Sequence, residues 1–300
     1  MRVFVTGASG FIGSAVAAAL ARADHDVVGL VRSRDKARAL AAREARPVVG
    51  TLEAPDTWSV HARDAQAFVH CAALPRAFEL DRRAVSALVA IASESAEPRV
   101  LVYTSGVWVY GGTGERAVDE AAPCNPLAVV RERIASEALV IAASRGTLRT
   151  IVVRPGCVYG ESGSLTAVWF ESATTDGAAR IVGDGTNRWA MVHRDDLADL
   201  YVRAIESTYS GVLNATDGSR STVRECAEAA SRAVGAGGRV TGMPLDEARH
   251  LLGPFADALA VDQHVSSERA ATLLGWKPRH AGFVAGVERY AAAWRASTAT

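Results

Sequence analysis

The first thirteen residues constrain the fold of this chain more than any other stretch. Residues 1–6 form an apolar run typical of a β-strand, and Gly7, Gly10 and Gly13 follow at intervals of three before an alanine-rich segment begins. A strand that enters a helix through such a turn directs backbone N–H groups and the positive end of the helix dipole at one point, where a pyrophosphate is stabilised. The sequence therefore predicts a dinucleotide site at its start.

The three glycines have separate tasks in this prediction. Gly7 allows the sharp turn, Gly10 lets phosphates approach the backbone, and Gly13 lets the helix pack closely on the strand. We assign their neighbours to the same cofactor site, namely Ser9, Phe11 and Ile12.

Short apolar segments alternate with helical ones beyond the glycine turn. We predict strands at 26–31, 47–50, 67–70, 99–103 and 150–153, and helices at about 14–23, 81–95 and 127–144. This alternation indicates an α/β protein with a Rossmann-type, doubly wound parallel sheet, whose ligands bind outside the carboxyl ends of the strands.

The periodicity changes after about residue 160, where glycine, serine and aromatic residues mix, and residues 220–290 look mainly helical. We therefore predict a nucleotide-binding domain made of residues 1–160 plus roughly 191–218. A smaller C-terminal substrate-binding subdomain would comprise residues 161–190 and 219–290.

Composition limits the partners of this protein. Thirty-three basic and thirty-three acidic residues balance, so no long-range field favours nucleic acid or an anionic membrane. No apolar run approaches the roughly 20 residues that span a bilayer. The four cysteines lie far apart, so we expect neither disulfides nor a metal site. We expect a cytoplasmic monomer or homodimer that acts on a small-molecule substrate, with no nucleic acid and no membrane as partner.

Basic residues follow the second predicted strand, where an NAD site usually has an acidic residue that accepts from the ribose 2′-hydroxyl. Arg32 and Arg34, with Ser33 and Lys36 beside them, are suited to hold a 2′-phosphate by charge-assisted hydrogen bonds. We therefore favour NADP (NADPH) over NAD as the cofactor, the alternative for this cluster being a solvated helix start.

Small residues end the fourth predicted strand, in the sequence Cys71-Ala72-Ala73. Such residues let the chain run close beneath a cofactor, and we assign Ala72 to the cofactor site.

Six motifs follow one another along the chain: Thr6-Gly-x-x-Gly-Phe-Ile-Gly13, Val109-Tyr110-Gly111, Arg154-Pro-Gly-x-Val-Tyr-Gly160, Gly183-x-Gly-x-Asn-Arg188, Val192-His-x-x-Asp196 and Leu274-Gly-Trp-x-Pro278. Together, in this order, they resemble the motifs of the extended short-chain dehydrogenases/reductases of the sugar epimerase/dehydratase type. The resemblance implies an NAD(P)-binding Rossmann domain, hydride delivery from the nicotinamide and a substrate cleft between two domains. It also implies cofactor contacts from Pro155, Gly156 and Val158.

Members of that family normally use a tyrosine followed four residues later by a lysine, and this sequence has no such pair. Matching Glu137 to the acidic residue that often follows the family lysine puts Arg133 at the lysine position and Val129 at the tyrosine position. An arginine holds ribose hydroxyls and supplies positive potential but does not release its proton. We therefore assign Arg133 to both the cofactor and the catalytic site.

The family's Ser/Thr position, four residues before Tyr110, holds Gly106, which follows Thr104 and Ser105. We take Ser105 and Thr104 as catalytic candidates because their hydroxyls are able to donate to a substrate carbonyl. Other candidate donors are Tyr110, Tyr159 and His193, each with a structural alternative. The substrate's own phenol is a further proton source, which would make the missing tyrosine dispensable.

Aromatic residues in the second half of the chain suit a large, flat ligand, although any core also needs such residues. We predict substrate contacts from Trp108, Tyr110, Tyr159, Trp169, Arg188 and Trp189. The composition is rich in arginine and contains two lysines, which is typical of GC-rich bacterial genes. Together with the missing tyrosine, this makes the chain similar to the tyrosine-lacking reductases that act on angucyclinone-type antibiotics.

Two functions of different class remain open from the sequence. The first is an NADPH-dependent ketoreductase for an aromatic polyketide-type ketone. The second is a non-catalytic NADP(H)-binding redox sensor or regulator, like the nitrogen-metabolite repressors of the broader family. Sugar-nucleotide epimerisation is disfavoured, because oxidation of an isolated alcohol needs the base that this chain lacks.

Overall fold

The central element is a parallel β-sheet built by the first two-thirds of the chain. The structure is a computed structural model that describes residues 1–72 and 77–298. Its strands are β1 (Arg2–Thr6), β2 (Asp26–Val31), β3 (Arg46–Val49), β4 (Ala67–His70), β5 (Arg99–Thr104), β6 (Ala117–Val118), β7 (Leu148–Pro155), β8 (Cys157–Tyr159), β9 (Ala179–Val182), β10 (Met191–His193), β11 (Gly211–Ala215), β12 (Val240–Met243) and β13 (His264–Val265).

Helices cover both faces of this sheet and form most of the C-terminal third. They are α1 (Phe11–Arg22), α2 (Arg34–Ala41), α3 (Asp56–Ala62), α4 (Phe78–Ser93), α5 (Arg133–Ala142), α6 (Ala167–Thr175), α7 (Arg194–Glu206), α8 (Val223–Ala233), α9 (Leu245–Leu252), α10 (Phe255–Leu259), α11 (Glu268–Leu274) and α12 (Phe283–Thr298). Short 3₁₀ turns lie at Val107–Tyr110 and Ala128–Val130.

The seven-stranded sheet in the described residues has the order β11-β7-β5-β4-β1-β2-β3, with parallel neighbours throughout. Side chains of β1 alternate between the two faces: Val3 and Val5 pack with α1 and α7, while Phe4 packs with α3 and α4. The predicted doubly wound α/β fold is confirmed, and the order reverses next to β1, which places the glycine turn at the switch point.

A third buried cluster lies away from the sheet, among α6, α8, α12 and β9. Its buried aromatic residues are Tyr159, Trp169, Phe170, Trp189, Phe283 and Tyr290. No helix in the described ranges is both long and apolar enough to cross a membrane.

The long helix predicted at 127–144 is wrong in its first turns. α5 begins at Arg133, and a 3₁₀ turn stands before it. The cause is a tertiary contact: the Leu127 N–H donates to the carbonyl of Trp108, 3.2 Å away, which holds Leu127 in an extended conformation.

Candidate active site

A cleft with a cavity of about 560 Å³ lies at the carboxyl edge of the sheet, over β1, β4 and β5. The structure brings together there thirteen predicted residues: Gly7, Ser9, Gly10, Phe11, Ile12, Arg32, Ala72, Ser105, Trp108, Arg133, Pro155, Gly156 and Val158. Sequence reasoning did not single out other lining residues, among them Leu30, Leu52, Glu53, Val107, Val130, Cys157, Ser164 and Leu165. Ala73 lies outside the described residues.

The glycine turn has the shape that a dinucleotide requires. Gly7 has φ +69°, and a Cβ there would lie 2.6 Å from the Ala72 nitrogen. A Cβ on Gly13 would lie 2.1 Å from the Gly7 carbonyl oxygen, so Gly13 packs α1 against the turn without bordering the cleft itself. Gly10 caps α1 without a side-chain hydrogen bond, which leaves the first N–H groups of the helix available to an anion. These residues fit a pyrophosphate.

The basic edge of the cleft is smaller than predicted. Arg32 and Lys36 border the cavity. The Ser33 hydroxyl instead accepts from the Lys36 N–H at 3.3 Å and caps α2, while the exposed Arg34 starts that helix away from the cleft. Of the four residues of the predicted basic cluster, Arg32 and Lys36 thus border the cavity, while Ser33 and Arg34 do not.

Ser105 places a buried hydroxyl at the cleft. Its residue is 7% exposed, it borders the cavity, and its hydroxyl has no hydrogen-bond partner among the described residues. Its backbone N–H donates to the Val153 carbonyl at 2.8 Å, which fixes the position of the side chain. A buried hydroxyl without a hydrogen-bond partner costs free energy, and a bound ligand that accepts its hydrogen bond removes that cost.

Thr104 does not border the cleft and its hydroxyl is engaged within the protein, which does not fit its assignment as a proton donor. Its hydroxyl lies 2.6 Å from the Tyr201 hydroxyl and 3.4 Å from the Cys71 sulfur. Burial raises the pKa of the Cys71 thiol to about 12, so that sulfur stays protonated. The opposite directions of Thr104 and Ser105 follow from the alternation of side chains at the end of a strand.

Arg133 opens α5 and reaches back to the same peptide. Its Nη1 donates to the Thr104 carbonyl at 3.1 Å, and the half-buried guanidinium borders the cleft with no ion-pair partner in the described part of the chain. Val129 lies in the 3₁₀ turn, and its neighbour Val130 is the one that lines the cavity. Ser105 and Arg133 are thus adjacent donors, one neutral and one cationic.

Tyr110 does not contact the cleft, which corrects its assignment to the substrate site. Its hydroxyl donates to Asn214 at 2.9 Å and accepts from Arg154 at 2.8 Å, and Arg154 in turn pairs with buried Glu137. Burial raises the pKa of Tyr110. The hydroxyl is therefore a neutral member of a buried network.

The other predicted substrate residues beyond Trp108 are also structural. Tyr159 is fully buried and donates to Asp217 at 2.8 Å, and the rings of Trp169 and Trp189 stack 5.2 Å apart in the third core cluster. Arg188 is held by Glu115 and Asp262. None of the four borders the cleft as described, because a core of small helices uses these large side chains for packing.

Trp108 keeps its predicted place. It is half-buried at the cleft, and its ring meets Phe255 of α10 edge to face at 6.0 Å. With Val107, Val130 and Leu165 it gives this end of the cleft an apolar wall.

His193 is a buried structural residue and not a donor to the cleft. Its Nδ1 accepts from the Asp195 N–H at 3.1 Å, and its ring stacks on His280 at 3.5 Å. Asp196 lies close to both rings, as in a metal site. Because Nδ1 accepts a hydrogen bond, the neutral ring carries its proton on Nε2, which leaves no lone pair for a metal ion.

We expect the stability of the protein to fall between pH 6.5 and about 4 because of His193. Burial lowers the pKa of His193 to about 4 in the folded chain, while the unfolded chain keeps a value near 6.5. The unfolded state therefore binds the proton first, and up to about 3 kcal/mol of unfolding free energy is lost as the pH falls through this window. Urea unfolding at several pH values measures it. In His193→Asn, which keeps a capping acceptor, this part of the pH dependence should vanish; an unchanged profile contradicts the assignment.

Comparison with known proteins agrees with this architecture. The NAD dependent epimerase/dehydratase family matches residues 3–215. An uncharacterized protein of Schizosaccharomyces pombe is 30% identical over 93% of this chain and 96% of its own. A 3-diazoavenalumate denitrifying reductase of Streptomyces is 29% identical over 96% and 100% of the two chains.

A quinoline-oxide ketoreductase of Stigmatella aurantiaca is 30% identical over about half of each chain, 53% and 51%. Among solved structures, human epimerase family protein SDR39U1 with NADPH has a TM-score of 0.79 at 22% identity, covering 97% of this chain and 99% of its own. UDP-glucuronic acid 4-epimerase of Bacillus cereus with NAD has a TM-score of 0.83 at 19% identity, covering 99% and 100%. Structural neighbours with this fold thus hold either NAD or NADPH.

Proposed function

Because this chain belongs to the NAD-dependent epimerase/dehydratase family, we propose that it is an NADPH-dependent reductase of a ketone on an apolar, aromatic substrate. The observation that carries the proposal is the Ser105 hydroxyl at the cleft, which has no hydrogen-bond partner in residues 1–72 and 77–298 and lies beside the guanidinium of Arg133. Two donors placed together at the carboxyl edge of the sheet suit a reaction in which negative charge develops on oxygen.

Each group has a separate role in the proposed reduction. Reduced nicotinamide supplies a hydride when it is bound. Ser105 donates a hydrogen bond to the substrate carbonyl, and Arg133 stabilises the charge on the resulting oxygen without giving up a proton. The proton comes from a phenol of the substrate next to the carbonyl, and the phenolate is protonated again by water.

An apolar wall supports a substrate of this class. Val107, Val130 and Leu165 offer no hydrogen bonds to a sugar ring, and Trp108 offers a flat aromatic surface. Two relatives support reduction as the reaction type, since the Streptomyces protein is named a reductase and the Stigmatella protein a ketoreductase.

The experiment that tests the proposal mixes the protein with NADPH and a panel of hydroxyaryl ketones and follows the loss of nicotinamide absorbance. We expect turnover with ketones whose phenol neighbours the carbonyl. Methylating that phenol should lower kcat about 100-fold or more while binding changes little. Equal rates for phenol and methyl ether contradict the substrate-assisted step, and no oxidation with any ketone favours a non-catalytic NADP(H)-binding regulator.

We expect Arg32→Ala to weaken NADPH about tenfold and NADH little, since a charge-assisted hydrogen bond to the 2′-phosphate is lost. Fluorescence titration with both cofactors measures the difference. Arg34→Ala is a matched control, because Arg34 lies two residues further along the chain, is also exposed and does not border the cleft. Equal losses for the two cofactors contradict the preference for NADP.

A further inference from the structure

A buried carboxylate lies behind the cleft, on the opposite face of the sheet from α1. Asp81 stands in the first turn of α4 and is 9% exposed. Its Oδ2 accepts from the Tyr103 hydroxyl at 2.9 Å and from the Ser136 hydroxyl at 2.8 Å, and its Oδ1 lies 3.1 Å from His70 Nε2. A single side chain therefore joins α4 to β4, β5 and α5.

The network continues to the strand that begins the chain. His70 Nδ1 lies 2.8 Å from the Thr6 hydroxyl at the end of β1. Since a carboxylate only accepts, His70 donates from Nε2 to Asp81, and Nδ1 accepts from Thr6. Burial acts to raise the pKa of Asp81, but the hydrogen bonds from His70, Ser136 and Tyr103 hold it below its ordinary value. The carboxylate is thus ionised and fully engaged.

Every partner in this network lies within three residues of one that lines the cleft. Thr6 precedes Gly7, His70 precedes Cys71, and Tyr103 is two residues before Ser105. Ser136 is one helical turn after Arg133 on α5. Three cleft-forming segments, the ends of β4 and β5 and the start of α5, therefore share Asp81 as an acceptor, and β1 is connected to it through His70.

We infer that Asp81 is a positioning residue, which holds the glycine turn, the β4 and β5 ends and Arg133 in the relative places that dinucleotide binding requires. It touches neither cofactor nor substrate and acts through its neighbours. Directional hydrogen bonds in a buried site fix the relative positions of segments to within a fraction of an ångström, whereas apolar packing alone allows small displacements between them. The inference rests on the dinucleotide-binding part of the proposed function.

The test measures NADPH and NADH binding to the full-length protein without substrate, for wild type, Asp81→Ala, Asp81→Asn and a control. Asp81→Ala leaves three buried donors unsatisfied, and we expect binding to weaken about tenfold or more. Asp81→Asn keeps an acceptor for Tyr103 and Ser136 and donates to His70 in its other tautomer, so it should bind within about threefold of wild type.

The control is Ser172→Ala on α6. Ser172 is 1% exposed and accepts from the Arg180 N–H at 2.9 Å in the third core cluster, so its loss lowers stability without touching the cleft. We expect Ser172→Ala to lower Tm but to bind NADPH like wild type. Amide hydrogen exchange gives a second readout without cofactor: residues 7–13 and 105–107 should exchange faster in Asp81→Ala and unchanged in Ser172→Ala.

Two results overturn the inference. The first is that Asp81→Ala binds NADPH with an affinity within twofold of wild type. The second is that Asp81→Ala and Ser172→Ala both lose NADPH affinity in proportion to their decrease in Tm. If Asp81→Ala does not fold, Ser136→Ala is measured instead, because it removes one hydrogen-bond donor and keeps the Asp81 carboxylate. An NADPH affinity equal to that of wild type in Ser136→Ala overturns the inference, and a weaker affinity supports it. A wild-type protein that binds neither cofactor contradicts the proposed function itself.

Discussion

Replacing Ser105 by alanine should lower kcat about 10²- to 10³-fold while KM changes little, because one donor to the developing oxyanion, worth about 2.7 to 4 kcal/mol, is removed. The side chain is small and its hydroxyl has no partner in the described structure, so its loss leaves no other group unsatisfied. The Tm should therefore stay near that of wild type. Steady-state kinetics with the best hydroxyaryl ketone, together with a thermal melt, measure both quantities.

Thr104→Val is the matched control for Ser105. It removes the neighbouring hydroxyl, which bonds to Tyr201 and Cys71 on a residue that does not itself border the cleft. We expect lower stability, since the buried Tyr201 hydroxyl loses its partner, but a kcat close to wild type. The reverse result, with Thr104→Val inactive and Ser105→Ala active, would return the donor role to Thr104.

Gly13→Ala should abolish dinucleotide binding, with an increase in Kd of about 100-fold or more. The new Cβ would lie 2.1 Å from the Gly7 carbonyl oxygen, so α1 must move away from the glycine turn, and the N–H groups that face the pyrophosphate move with it. Overpacking of this kind typically costs about 1–3 kcal/mol of stability as well. Titration with NADPH and NADH, run beside a thermal melt, separates the two effects.

Gly112→Ala serves as the control for that change. Its Cβ would meet only ordinary contacts, 3.7 Å from a Val261 methyl and 3.9 Å from the Asp262 carbonyl. Binding and stability should both stay near wild type. If Gly13→Ala binds NADPH as tightly as Gly112→Ala does, the assignment of the glycine turn to dinucleotide binding is contradicted.

Sequence reasoning was most reliable where a local pattern has one physical solution. The strands at 26–31 and 67–70 have the predicted bounds, because short apolar runs bounded by polar residues favour buried parallel strands. The start of α5 was misplaced because a distant contact decides it: the carbonyl of Trp108 takes the N–H of Leu127. A helix pattern carries no information about such a contact.

Residue type alone misled the prediction of the substrate site. Tyr159, Trp169 and Trp189 were grouped with Trp108 as a flat binding surface, yet only Trp108 reaches the cleft. The same large, apolar side chains serve a core and a ligand equally well, so composition does not separate the two. The sequence does not distinguish Asp81 for a related reason: an acidic residue in the first turn of a helix is common at protein surfaces.

By itself, the sequence determined the opening strand and glycine turn, the doubly wound sheet and the absence of a Tyr-x-x-x-Lys pair, since each depends on neighbours in the chain. Only the assembled structure shows that Ser105 borders the cleft while the Thr104 hydroxyl bonds to Tyr201, and that one carboxylate is hydrogen-bonded to three cleft-forming segments, β4, β5 and α5. These features depend on hydrogen bonds between residues far apart in the chain and on which side chains the helices bury. Both arise only when the sheet and its helices are assembled.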